Sequence, residues 1–254
     1  MRKMNGSDNV KVYIQCGNNG LPYNMNTFSA MLGFQQMGIE TTLFTDKEEL
    51  INAEITDIVV GGVGRIKQFL EDRGIIVNDI DYPESLSEFY GRKIWKSTSD
   101  KFLAENNNFP LFVKPKQGKL FTGFICNSET DIAGRFSPEE SIPVYCSEVR
   151  NIITEWRCFV RYGEILDIRR YKGELGRIYS FQKVKEMISS YSDAPTAYSL
   201  DLGLTSEGDT LIVEVNDGYS LGSYGLDPLL YAKLLSARWA ELTGTDDECA
   251  FDLR

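Results

Sequence analysis

The pattern of apolar residues changes character near residue 90, and no architecture built from a single kind of layer accommodates both halves of it. Before that point, short apolar runs alternate with helix-period segments. Residues 11–15 read as a strand, followed by a loop of Gly17, Asn18, Asn19 and Gly20. A helical period over residues 25–37, with Phe28, Met31, Leu32 and Phe34 among its apolar positions, stops at Gly38. Strands at 40–44 and 57–60 bracket a short helix for which Thr45 or Asp46 supplies a cap, and another helical run extends from the glycine-rich stretch 61–64 to about Asp72. This succession predicts a small α/β layer with parallel strands. Neither glycine loop matches G-x-G-x-x-G followed by an acidic residue, so both read as strand-end turns, at the place where open α/β sheets admit ligands.

From Gly91 onward the grammar is that of antiparallel hairpins mixed with helices. Strands are expected at 110–115 and 120–126 around a turn of Lys116, Gln117, Gly118 and Lys119, then at 143–149, 153–162 and 164–171. An amphipathic helix near 181–190, a hairpin over 197–215 and a closing helix over 227–242 complete the chain, with no repeat or long linker. A length of 254 residues allows one large domain or two small ones.

The chain contains no histidine, which removes imidazole-based hydrolase triads, His-ligated zinc or iron, and histidine phosphocarriers. Chemistry is left to Asp, Glu, Lys, Arg, Tyr, Cys and oxygen-bound metal ions. With 27 Lys and Arg against 37 Asp and Glu, the net charge of −10 predicts no nucleic-acid partner and no anionic membrane surface, a local basic cleft apart. The five cysteines, odd in number and without C-x-x-C, read as reduced thiols of a cytoplasmic protein. Residues 1–10 are polar, and no run approaches the about 18 apolar residues of a membrane span, so neither secretion nor membrane insertion is expected.

Alternation along 198–204 and 210–216 allows a register to be worked out for the last hairpin. With Glu207 and Gly208 as the turn, Leu204 faces Leu211, Leu202 faces Val213 and Leu200 faces Val215 on one apolar face. Asp201 then lands opposite Glu214 on the other face, with Asn216 two residues beyond on the same side. Opposed carboxylates have Cβ atoms about 4.5–5.5 Å apart, which is unfavourable unless a cation or proton intervenes. Their oxygens, with the Asn amide, suit Mg²⁺ or Mn²⁺ completed by phosphate oxygens; a hairpin with one solvated polar face presents the same pattern.

Positive charge lies on separate strands. Lys114 closes the apolar run that begins at Pro110, and either snorkels to solvent or meets an anion. A hairpin turning at Tyr162 and Gly163 sets Arg161 against Glu164, Phe159 against Leu166, Arg157 against Ile168 and Glu155 against Arg170. Glu155, Arg157 and Arg170 then share a face, either a site for a phosphoryl group or carboxylate, or a surface ion-pair network. Trp95, Trp156 and Trp239 read as packing residues, while Tyr224 lies in a glycine-rich connection that is either a plain loop or an anion-facing one.

In chain order, Val113-Lys114-Pro115, the run from Val144 to Val149, the run from Glu155 to Val160, Asp201, and Glu214-Val215-Asn216 resemble the ATP-grasp fold. The runs from Gly91 to Lys96, Phe112 to Pro115, Lys119 to Gly123, Tyr198 to Asp201 and Glu214 to Gly225 are similar to the ATP-grasp clade named for two arginines and a lysine, over about residues 83–242. The resemblance implies a small N-terminal α/β, pre-ATP-grasp-like domain (residues 1–90) and a two-lobed ATP-grasp domain (91–254). The first lobe covers about 91–143, the hinge 144–149 and the second lobe 150–245. It implies ATP between the lobes, with Lys96, Lys114 and Lys119 toward its phosphates and Ser147, Glu148 and Val149 at the adenine. Arg157 is implied to reach the reacting phosphoryl or substrate group, and Asp201, Glu214 and Asn216 to hold Mg²⁺ or Mn²⁺; the expected hairpin register adds Arg170, so that Arg157 and Arg170 together would hold the carboxylate or the transferring phosphoryl group. A short turn over 116–122 stands where many relatives carry a long glycine-rich phosphate loop.

The family chemistry is carboxylate activation by Mg-ATP as an acyl-phosphate and its capture by an amine. The implied partners are a nucleotide and a carboxylate-bearing small molecule, peptide or protein. Such chemistry rests on positioning and charge neutralisation, which suits a chain without imidazole. A nucleotide-binding module without ligase activity and an ATP-dependent phosphotransferase are the alternatives.

Overall fold

A computed structural model describes residues 10–104, 108–116, 120–132, 135–136 and 141–251. The N-terminal part carries β1 (Lys11–Gln15), α1 (Met25–Gln36), β2 (Glu40–Phe44), β3 (Ile58–Val60) and α2 (Val63–Glu71). Its strands form a parallel sheet in the order β2-β1-β3. α1 starts where the Asn24 side chain accepts the N–H groups of Asn26 and Thr27 while the Thr27 hydroxyl accepts that of Asn24. It ends at Gly38, whose φ of 78° suits a residue without Cβ. The short helix after β2 is a 3₁₀ turn (Lys47–Leu50), and Glu49 accepts the Thr45 and Asp46 N–H groups at its start.

A connector containing the 3₁₀ segment Glu84–Phe89 leads into β4 (Ile94–Thr98), α3 (Ser99–Ala104), β5 (Leu111–Pro115), β6 (Phe124–Cys126), α4 (Glu129–Ile132) and β7 (Pro143–Glu148). These strands form an antiparallel sheet in the order β4-β7-β5-β6. β5 and β6 pair as the expected hairpin, but β4 carries no clear alternation in sequence and is defined by its pairing with β7. Then follow β8 (Ile152–Arg161), β9 (Glu164–Gly173), α5 (Phe181–Ser190), β10 (Ala197–Thr205), β11 (Thr210–Asp217) and α6 (Pro228–Thr243). The third sheet runs β11-β10-β8-β9. The molecule is thus a mixed α/β protein with three separate sheets.

Each sheet has its own core. β5 and β7 bury Val113, Val144 and Cys146 against Phe102 and Phe136. β8 and β10 bury Trp156, Cys158, Leu200 and Leu202 against Val184 and Met187 of α5 and Leu86 of the connector. The first core, built on Ile14, Phe34, Ile66 and Leu70, also takes in Tyr231, Leu234 and Trp239 of α6. The last helix of the chain therefore completes the N-terminal layer. Its residues from Tyr231 to Ala240 are all buried, which removes the polar stripe of a surface helix. Close approach of α1 depends on Gly33, where a Cβ would lie 1.9 Å from the Pro228 carbonyl oxygen. Trp156 and Trp239 are buried packing residues, as expected, and Trp95 packs against the core of β5 and β7. The five cysteines are free and buried. Among the described residues, no helix is long and apolar enough to cross a membrane.

Candidate functional site

Two hairpins of the third sheet build the site, and β-bulges decide which side chains they present. In β10–β11, Asp201 pairs with Glu214 and Leu200 with Val215, as alternation predicts. Nearer the turn the expected register is corrected: Leu202 pairs with Ile212 and Leu204 with Thr210. Thr205 and Asp209 close the turn through Thr205 N–H to the Asp209 carbonyl, so the loop holds one residue more than expected, with Gly208 at φ 94°. A bulge at Val213 absorbs the offset and restores the pairing of the two carboxylates. Arg92 clamps that bulge, donating to the carbonyls of Ile212 (2.9 Å), Val213 (2.7 Å) and Tyr90 (2.9 Å).

The β8–β9 hairpin does turn at Tyr162 and Gly163, both with positive φ, and Arg161 pairs with Glu164. Bulges at Leu166 and Tyr171 then overturn the rest of the expected register. Arg157 pairs with Arg169, Glu155 with Lys172, and Arg170 with Trp156 on the opposite face. Arg170 is exposed, donates to the Gly173 carbonyl and does not join Arg157. The Glu155 partner is Lys172, at 2.5 Å. The extra residue, Tyr171, donates to Glu155 Oε2 at 2.7 Å and stacks on Tyr224 with ring centroids 4.8 Å apart. Alternation cannot reveal bulges, and so could not reveal Tyr171 or Lys172.

At the centre, the Arg157 guanidinium grips Asp201 with both prongs, Nε to Oδ1 and Nη2 to Oδ2, each at 2.7 Å. The two side chains are only 6% and 4% exposed. The Asn216 amide donates to Asp201 Oδ2 at 3.2 Å, and the Arg157 guanidinium lies 4.8 Å from the Tyr224 ring centre. Burial opposes charge on Arg157, but the hydrogen-bonded Asp201 carboxylate outweighs it and raises its pKa, whereas burial pushes Asp201 itself upward despite the guanidinium; the two-pronged fork is the geometry of an ion pair. Tyr171 is pushed well above the usual tyrosine range by burial and by the charges of Asp201 and Glu155, and remains a phenol donor.

Across the cleft, Lys114 of β5 reaches Glu214 at 2.8 Å and Asp81 of the connector at 2.6 Å. Burial works against its charge, but Glu214, Tyr82 and Asp81 together raise its pKa above the usual lysine range. The same ammonium, with Arg157, holds Glu214 below the usual carboxylate range despite burial. Lys96 and Lys114 flank Tyr145 of β7 from the two neighbouring strands, their Nζ atoms 6.0 and 5.9 Å from its ring centre. Ser147 is buried at the end of β7, Val149 follows the strand, and the Glu148 carboxylate accepts the Lys93 N–H at 2.9 Å. Lys119 lies outside the described residues. Asp81 carries no motif signal; only the fold brings its connector to Lys114.

The loop at Gly61 and the first turn of α1 reach this centre through the connection after β11. Ser220 Oγ donates to the Gly61 carbonyl at 2.7 Å, and Ser223 N–H and Oγ both donate to Asn26 Oδ1. The Gly222 carbonyl accepts from Arg157 Nη1 at 3.3 Å. Among the described residues no three carboxylate or thiolate side chains converge on one point. The hard oxygen donors that could hold a divalent cation here are Asp201, Glu214 and the Asn216 amide oxygen, which fit by type. Asp201 Oδ1 accepts from Arg157 Nε alone and keeps a second lone pair, whereas Oδ2 already accepts from Arg157 and Asn216.

The model of the ATP-grasp domain, R2K clade family 2, matches residues 89–234, more than half of the chain. No curated protein matches it. Among solved structures, N5-carboxyaminoimidazole synthetase from Staphylococcus aureus superposes with a TM-score of 0.59 at 13% identity, over 93% of this chain and 78% of that one. D-alanine–D-alanine ligase from Bacillus anthracis complexed with ATP gives 0.55 at 15% identity, over 92% and 96%. The ATP-grasp ligase PsnB, complexed with precursor peptide PsnA2 and AMPPNP, gives 0.50 at 13% identity, over 95% and 100%. At these identities the likeness is one of fold.

Proposed function

Because the chain belongs to the R2K clade of the ATP-grasp superfamily, we propose that it is an ATP- and Mg²⁺-dependent ligase that activates a carboxylate for attack by an amine. The observation that carries this reading is the meeting of opposite charges where two sheets face each other: Lys114 of one sheet against Glu214 of the other, beside the Arg157–Asp201 pair. Phosphoryl transfer needs such pre-placed cations more than it needs a base. The substrate carboxylate oxygen attacks the γ-phosphorus, ADP leaves, and the amine nitrogen then attacks the carbonyl carbon and expels phosphate. Lys96 and Lys114 neutralise the phosphates from the first lobe, Lys119 assists them, and Arg157 holds the transferring group from the second. Ser147, Glu148 and Val149 border the adenine. Asp201, Glu214 and Asn216 would hold Mg²⁺, or Mn²⁺, which would supply neutralisation of the phosphate charge when bound.

The loop at 61–64 and the first turn of α1, tied to the connection after β11 through Gly61 and Asn26, form the acceptor side together with the glycine loop at 17–20. The carboxylate belongs to a small molecule, peptide or protein, and the solved complex of PsnB with a precursor peptide supports the peptide end of that range. Thermal melting with millimolar ATP or ADP, with and without Mg²⁺, tests the reading. A ligand at one hundred times its Kd stabilises the folded state by about 2.7 kcal/mol, and Glu214→Gln should lose the Mg²⁺-dependent part. Absence of any shift for the wild type would overturn it. Hydroxylamine trapping of an acyl-phosphate across carboxylate substrates separates ligation from mere binding or from phosphoryl transfer to an alcohol.

A further inference from the structure

Asp81 lies in the connector ahead of β4, outside every strand that builds the site, yet it makes the shorter of the two ion pairs of Lys114, 2.6 against 2.8 Å for Glu214. Its backbone fixes it there: the Asp81 carbonyl accepts the N–H of Val215, the residue after Glu214, at 2.9 Å. Tyr82 closes the other side, with Lys114 Nζ 4.6 Å from its ring centre. The Lys114 side chain is 13% exposed and that of Asp81 25%, so water screens the pair only in part.

The charge of the whole cleft follows from these contacts. Lys114 faces two carboxylates, Arg157 is paired with Asp201, and Lys172 with Glu155. Among the described residues, these four acids stand against three bases and Lys96, which shares Tyr145 with Lys114, so the face has no surplus positive charge to offer a phosphate chain. We propose that Asp81 is a specificity-determining residue that makes this site select the metal complex of a nucleotide over the free nucleotide, by competing with phosphate oxygens for Lys114. The inference rests on the reading of the site as a Mg-nucleotide site. A free nucleoside triphosphate must displace Asp81 from Lys114 and enter a cleft whose cations are already neutralised. A divalent cation on Glu214 and Asp201 would draw Glu214 away from Lys114, so that the ammonium could meet a phosphate oxygen without displacing Asp81.

Isothermal titration of the full chain with ATP in EDTA, and with ATP in excess Mg²⁺, tests this. In Asp81→Asn, metal-free ATP should bind about tenfold or more tightly than in the wild type, the scale of losing one charged hydrogen bond, while Mg-ATP changes by less than about threefold. Asp81→Glu should keep the wild-type preference. Asp79→Asn removes the same charge from the same connector, but Asp79 pairs with Lys67, at 2.7 Å, and should leave both affinities unchanged. Metal-free affinity that stays constant or falls in Asp81→Asn overturns the proposal, and so does equal tightening in Asp79→Asn. Failure of the wild type to bind Mg-ATP overturns instead the reading on which it rests. Tightened binding requires a folded protein, so misfolding cannot imitate the expected result.

Discussion

Replacing Asp201 by Asn leaves the Arg157 guanidinium buried without its counter-ion, and its cost can be worked from the ligand-free fold. Both Asp201 oxygens accept from Arg157 at 2.7 Å, Oδ2 accepts again from Asn216 at 3.2 Å, and the pair is 6% and 4% exposed. An amide there turns one acceptor into a donor facing a guanidinium N–H. Removing one partner of a buried pair costs about 3–5 kcal/mol, whereas replacing both by apolar groups of similar volume is often close to neutral. In a chain of 254 residues that corresponds to a fall of about 10 °C in Tm. Urea unfolding in EDTA, without nucleotide, should show Asp201→Asn and Arg157→Met each losing several kcal/mol. Arg157→Met combined with Asp201→Leu should recover most of it, a coupling of about 2 kcal/mol or more. A single-variant cost below about 1 kcal/mol, or additive costs, would refute the reasoning, because it would mean that water screens the pair and that the fork places nothing.

Two further outcomes are expected. Gly33→Ala should destabilise by about 3 kcal/mol in the same assay, because its Cβ would lie 1.9 Å from backbone of α6; Gly38→Ala, with only a positive φ to overcome, should cost about 1 kcal/mol. Thiol titration at about pH 8 should find none of the five cysteines reactive in the native state and all five after unfolding; burial, with the charge of Asp167, pushes Cys158 up to about 12.

The elements that follow from periodicity and caps were legible without a fold. β1, β2 and α5 fall at the residues that alternation and helical period indicate, and the turn at Tyr162 and Gly163 is where their chemistry requires it. The pairing of Asp201 with Glu214 was also legible, although by two offsets that cancel: a turn one residue longer than expected and a bulge at Val213. In the neighbouring hairpin the bulges do not cancel, so Arg170 leaves the face where alternation puts it and Tyr171 and Lys172 enter.

What the amino-acid order determined by itself is the list of chemical means: no imidazole, hard oxygen donors alternating on one strand face, and a lysine closing an apolar strand. These are local properties, set by side-chain type and by the two-residue period of a strand. Tertiary structure alone decided which cation meets which anion. Asp81 reaches Lys114, α6 completes a core begun by β1, and Arg92 holds a bulge more than one hundred residues away. Those contacts depend on three sheets closing on one another. Ion pairing at 2.6–2.8 Å is decided by a displacement of a single residue, which is what one bulge supplies and what no local pattern records.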